Sequence, residues 1–279
     1  MDRPMQRRVR ELLPVLFLLG ICGNSASAQT ASQKPPVITE AGGKIRIATN
    51  DPRPLDQIVN ALQQKYGWRI NYEDPQYISK LDLKDAKSSS DGRPEPSGGS
   101  FAVEVPSGPS ADALPDEQKT LQLMVDTYNQ SNNPGRFDLR HPSPEQFDIV
   151  GTSAHDQKGK ISRQVVVLDT PITILAEDRT VADTVNLICQ KISDKGHVSV
   201  TLGVYPLGLD RQRATVGGTE MTARAYISTA TEPTGRKISW RLLYDPDSKS
   251  YVLDLHQFRV PPPPSKPPVP APSPAPAHP

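Results

Sequence analysis

Asp51-Pro52-Arg53-Pro54-Leu55-Asp56-Gln57-Ile58-Val59-Asn60-Ala61-Leu62-Gln63-Gln64-Lys65-Tyr66-Gly67-Trp68-Arg69-Ile70-Asn71-Tyr72 decides how this chain is read. Asp51 and the early prolines are helix-start signals. Leu55, Ile58, Val59, Leu62 and Tyr66 recur at steps of three and four, which gathers them into one stripe of a helix. Gly67 supplies the stop, because only glycine enters the left-handed conformation without strain. Trp68 to Tyr72 then alternates apolar and polar, as Lys44-Ile45-Arg46-Ile47-Ala48-Thr49 does upstream, and alternation suits a half-buried strand. The segment therefore predicts β-α-β.

The same pattern returns 126 residues later. Ile172 to Ala176 alternates as a strand, and Thr180 with Asp183 forms an acidic version of the capping box. Val181, Val185, Ile188 and Ile192 make the stripe, Gly196 stands near its end, and His197 to Leu202 supplies the second strand. Val59-Asn60 corresponds to Val185-Asn186, Leu62 to Ile188 and Gln64-Lys65 to Gln190-Lys191, all at one offset. Each copy continues with a strand, a helix and a hairpin. In the first these are Phe101 to Val105, a helix begun near Asp116 that carries Leu121, Met124, Val125 and Tyr128, and Arg136 to Arg140 paired with Gln146 to Val150. In the second they are Ala214 to Val216, a helix opening at Thr219 and closed by Pro233 and Gly235, and Lys237 to Tyr244 paired with Tyr251 to Leu255. Trp68 and Tyr72, like Trp240 and Tyr244, share a strand face and serve better as anchors between helix and sheet than as binding strips.

The expected architecture is α+β: tandem pseudo-repeats of small β-α-β(-β) modules at 44–154 and 165–259, each with helices on one face of a sheet. The first contains a charged Ser/Gly/Pro-rich loop (76–100), and around the two stand a signal peptide (1–28), a flexible N-terminus (29–43), a linker (155–164) and a disordered proline-rich tail (260–279). Leu55 to Tyr72 and Val181 to Leu202, each an amphipathic helix opened by an acid or Thr and followed by a Gly and a strand, resemble the short N-terminal domain of secretins and TonB-dependent receptors. That resemblance implies a periplasmic protein-contact module that does no chemistry, with no secretin pore or receptor barrel attached.

The N-terminus predicts export. Arg3, Arg7, Arg8 and Arg10 precede an apolar run from Leu12 to Gly23, and Ala26-Ser27-Ala28 offers a small-residue cleavage site. That run is too short for a spanning helix, which needs ~20 residues, so no transmembrane anchor is expected. Leu19-Gly20-Ile21-Cys22 is a poor lipobox because Ile21 is bulky, and cleavage after Ala28 is the preferred reading over acylation of Cys22. The mature chain would carry 28 basic and 29 acidic residues and one cysteine, Cys189. Balanced charge gives no electrostatic case for nucleic acid, and a lone cysteine forbids an intramolecular disulfide. Cys189 reads as a small buried apolar residue. Val260 to Pro279 holds 11 prolines in 20 residues, a composition that favours polyproline II.

Motifs for chemistry are lacking. His141 and Glu145 are four apart, but Pro142 and Pro144 forbid the helix that would align them on a metal. Asp245, Asp247 and Lys249 imitate the start of a calcium loop, yet the lysine and the missing Gly and Glu break it. Gly151-Thr152-Ser153-Ala154-His155 lacks the second glycine of a serine elbow, and Asp156 points away from its neighbour His155. Gly98-Gly99 and Gly217-Gly218 are turn pairs, not phosphate loops, and the sequon Asn129-Gln130-Ser131 matters only in a eukaryotic host. No catalytic, cofactor-binding or metal residue is assigned. The expectation is an exported, periplasmic or secreted, non-enzymatic protein that binds a protein or envelope partner. A secreted hydrolase, which would need a cleft lined by acids, and a small-ligand carrier, which would need an apolar cavity, are the rivals.

Overall fold

A computed structural model describes residues 35–85, 92–108, 114–196 and 198–259. The signal peptide with Cys22, the proline-rich tail, His197 and His278 lie outside the described residues. The described chain is mixed α and β. In order it forms β1 (Val37–Ala41), β2 (Lys44–Asn50), α1 (Pro54–Tyr66), β3 (Ile70–Glu73), β4 (Leu83–Lys84), β5 (Glu95–Pro96), β6 (Ser100–Pro106), α2 (Glu117–Gln130), β7 (Arg136–Ser143), β8 (Gln146–His155) and β9 (Ile161–Arg163). There follow β10 (Pro171–Thr180), α3 (Val181–Gly196), β11 (Ser199–Leu202), β12 (Arg213–Thr222), α4 (Ala223–Thr231), β13 (Ile238–Asp245) and β14 (Ser250–Gln257).

Helix ends follow local chemistry. Asp51 accepts the Arg53 amide at 2.7 Å just ahead of α1, and Gly67 closes that helix at φ 71°, its amide bonded to the Gln63 carbonyl. Thr180 accepts the Asp183 amide at 3.1 Å and donates its own hydroxyl to the Asp183 carboxylate at 2.6 Å, so the acid returns to the hydroxyl. Asp116 caps α2. Helix α4 opens one turn later than Thr219, with Thr222 as its cap, because β12 runs on through Gly217-Gly218 and a kink at Glu220, φ 52°. Every stripe residue named for α1, α2 and α3 is buried.

Four sheets result. β1, β2 and β6 form an antiparallel trio; β10 pairs β12; β4 pairs β5; and a larger sheet runs β11-β14-β13-β3-β8-β7, with β9 on the free part of β8. Strands from both segments therefore share one sheet, joined where β13 lies parallel to β3 with Arg241 beside Tyr72 and Leu242 beside Glu73. Residues side by side on neighbouring strands face the same way. Tyr72 packs into an apolar core with α1 and α2, whereas Leu242 packs into a second core with α3 and α4. Each helix pair accordingly covers one face of the shared sheet, α1 with α2 on one side and α3 with α4 on the other. A parallel seam with the usual alternation puts the two apolar sets on different sides.

Other expectations shift locally. Val37–Ala41, placed in a flexible N-terminus, pairs with Lys44–Ala48 around Gly42-Gly43. The stretch read as a linker turns through Gly159 into β9, which pairs with Ser153–His155. The loop 76–100 contains Tyr77 and Asp82, both buried, and a 3₁₀ turn at Lys80–Asp82. β7 continues through His141 and Pro142, so the hairpin turns at Pro144-Glu145. No helix among the described residues is long and apolar enough to cross a membrane.

Candidate functional site

The seam between β3 and β13 concentrates the polar chemistry. On one face Arg224, at the start of α4, reaches Glu73 at 2.6 Å, Asp148 at 3.1 Å and Asp169 at 3.2 Å, and its guanidinium stacks over Trp240. Asn71 ties the same cluster together: its amide donates to Asp148 at 2.7 Å while its oxygen accepts the Trp240 backbone amide. Arg140 holds Asp169 at the exposed side. Burial raises the Glu73 carboxyl above its ordinary range, against the opposing pull of Arg224. At the end of β3, fully buried Asp74 accepts from Arg53, from the Tyr72 hydroxyl and from the Tyr244 amide, and Arg53 also donates to the Tyr244 carbonyl. Burial pushes Asp74 up as well, with Arg53 opposing it. These acids are enclosed and bonded, which suits a lock between segments better than proton transfer.

The opposite face of the seam carries a recess of about 310 Å³. Helix α1 contributes Asn60, Gln63 and Gln64; β13 contributes Ser239 and Arg241; His256 and Gln257 of β14 with Phe258 and Arg259 complete the lining. The alternation that sends Trp240 and Leu242 into the α3–α4 core sends Ser239 and Arg241 toward α1. Arg241 donates to the Gln63 side-chain oxygen at 3.2 Å. Its Nε lies 3.1 Å from Asp56 Oδ1, an ion pair out of line for a hydrogen bond. Gln63 Nε2 and Ser239 Oγ are buried and find no partner among the described residues. Buried polar groups are nearly always satisfied, so this pair marks the recess. Burial and the charge of Arg241 lower the His256 pKa, which favours neutral imidazole.

The motifs singled out in the sequence do not converge here. His141 stacks on Phe147 at 4.2 Å, on the hairpin surface. Asp245 accepts from the Asp247 amide and the Ser248 hydroxyl, an ordinary turn between β13 and β14. Gly151 is required by packing, since a Cβ there would sit 2.3 Å from the Pro75 nitrogen. His155 pairs with buried Asp82, at 2.6 Å through Nδ1, and not with Asp156, which caps the following turn through the Lys158 and Lys160 amides. Cys189 is buried, its thiol pushed up to about 12, and is chemically quiet. Trp68, Tyr72, Trp240 and Tyr244 are all core residues. Among the described residues no group of His, Cys, Asp and Glu is arranged to hold a metal ion. Reading by sequence missed Arg53, Asp74, Arg224 and the recess, and the one available signal was the arginine following each strand tryptophan.

No protein-family model matches the chain, and neither curated proteins nor solved structures yield a match.

Proposed function

We propose that this is an exported, periplasmic or secreted, non-enzymatic protein built from two tandem α+β pseudo-repeats, and that it binds a macromolecular partner at the recess beside α1. The repeat is supported by equivalent pairings: β2 with β6 and β10 with β12 antiparallel, β3 with β8 and β11 with β14 parallel, β7 with β8 and β13 with β14 antiparallel. It is supported too by the shared offset of the helix stripes. The likeness of each β-α-β unit to the short N-terminal domain of secretins and TonB-dependent receptors favours protein contact over catalysis. Export rests on the basic, apolar and small-residue order of residues 1–28.

One observation carries the binding reading: two buried, unpartnered polar side chains lie in a recess where the two segments meet. Its lining contains no carboxylate, which the hydrolase reading needs, and it is polar where a carrier of apolar ligands needs an apolar cavity. The test is cross-linking in the native compartment with the full chain, comparing wild type with Gln64→Ala and Arg259→Ser on the rim. A partner captured by wild type and lost from the rim variants supports the reading. Capture that is unchanged by both variants removes the recess from it.

A further inference from the structure

We propose that the recess recognises a carboxylate group. The inference rests on reading the recess as a binding site and adds the chemistry of what enters it. Arginine has donors only, so its bond to Gln63 at 3.2 Å fixes the Gln63 oxygen toward Arg241 and leaves the Nε2 hydrogens as the spare groups. Ser239 adds a hydroxyl with no acceptor, and the Arg241 guanidinium adds further N–H groups. The bottom of the recess is therefore a set of donors, and a complementary ligand brings acceptor oxygens. A ligand's oxygens would pair buried groups that find no partner among the described residues.

Charge selects among acceptors. Asp56 offsets Arg241, and Arg259 on the exposed rim leaves one positive charge facing the ligand. A monoanion balances that charge. A doubly charged phosphate would set excess negative charge beside buried Asp56. The recess also sits at the small end of ordinary ligand sites, and its deepest groups, Gln63 and Ser239, lie below exposed Gln64, Gln257 and Arg259. A planar carboxylate asks less room of such a recess than a tetrahedral oxyanion does. Its source is either the end or an acidic side chain of a protein, or a small free acid.

Side-chain NMR on the full chain tests this, following the Gln63 amide and the Arg241 Nε–H during titration with acetate, an N-acetyl dipeptide acid, the same dipeptide amide and inorganic phosphate. Saturable shifts with the two acids, absent with the amide and weaker with phosphate, support the proposal. Tighter binding of the dipeptide acid than of acetate assigns the source to a polypeptide; the reverse assigns it to a small acid. Ser239→Ala should weaken acid binding roughly tenfold, the worth of one hydrogen bond to a charged group. Arg259→Gln, on the exposed rim where folding is not at risk, should weaken it less. Equal shifts from acid and amide, or no saturable shift from either acid, overturn the carboxylate. If the cross-linked partner is still lost from the rim variants in that case, the binding reading survives without it.

Discussion

Strands β3 and β11 each follow an amphipathic helix and lie parallel to a hairpin strand, yet they meet opposite fates. β3 is interior, between β8 and β13, and its Asn71 and Glu73, with Asp74 just beyond, are buried. β11 ends the sheet, paired with β14 alone, and its Ser199 and Thr201 are exposed. Where the two segments join, the chain uses buried ions satisfied across the seam: Arg224 from one side, Asp74 and Glu73 from the other. Where the sheet ends, it uses a helix side chain instead. The Ser193 hydroxyl of α3 accepts the Val200 amide at 2.9 Å and shares its own proton between the Cys189 carbonyl at 2.9 Å and the Val200 carbonyl at 3.3 Å. At the other end Asn129 of α2 does the same for Phe137 of β7. Such caps occupy backbone groups that would otherwise recruit a foreign strand. Apolar burial holds each segment together, while polar pairing sets how the segments register.

The strongest way to break this comparison is Arg224→Met. It leaves Glu73 and Asp148 buried without their cation, and removing one partner of a buried pair costs about 3–5 kcal/mol. Urea unfolding should show that loss, and Arg224→Lys should recover little, because a single ammonium cannot reach three carboxylates at once. A cost below about 1 kcal/mol, the range of surface pairs, would remove the seam from any locking role.

Next come the two cores. Leu62→Ala in α1 and Ile188→Ala in α3 empty corresponding, fully buried positions, and each should cost about 2–5 kcal/mol. Because one sheet spans both segments, each variant should shift a single transition reported identically by Trp68 in the first core and Trp240 in the second, read in the matching single-tryptophan proteins. Separate melting of the two reporters would show that the segments fold alone. A smaller effect belongs to the edge: Ser193→Ala should cost about 1 kcal/mol and speed hydrogen exchange at the Val200 amide, with exchange in β3 unchanged.

What was legible in the sequence was periodic. The stripe from Leu55 to Tyr66 and its echo from Val181 to Ile192 follow from 3.6-residue spacing, and their burial followed. The sharing of a sheet was not legible, since strand order depends on pairings between residues as distant as Tyr72 and Arg241. An acid before proline usually marks a turn, so nothing local sets Asp74 apart; its burial rests on Arg53, Tyr72 and Tyr244, which no local pattern gathers. The recess was hidden for the same reason. Gln63 belongs to the polar side of a helix that looks solvated until β13 is placed beneath it.

The helix starts sharpen the comparison furthest. Asp116 caps α2 and Thr222 caps α4, but the next residue is Glu117 in one and fully buried Ala223 in the other. One Glu117 carboxyl oxygen is buried without a partner, and burial pushes the group up to about 7, with Lys237 opposing. A helix N-terminus favours a charged carboxylate, so desolvation outweighs the dipole here. Since the folded pKa lies above the unfolded one, near the ordinary 4.5, the fold prefers the proton-bound acid. That contribution is complete below the unfolded pKa and is lost as pH rises toward 7. Glu117→Gln mimics the protonated form at every pH. Its melting temperature should match wild type near pH 4.5 and exceed it at pH 8, with the gap opening between those values. A gap that is constant across the range would mean that Glu117 ionises as freely as an exposed acid, and that the two helix starts differ in sequence but not in electrostatics.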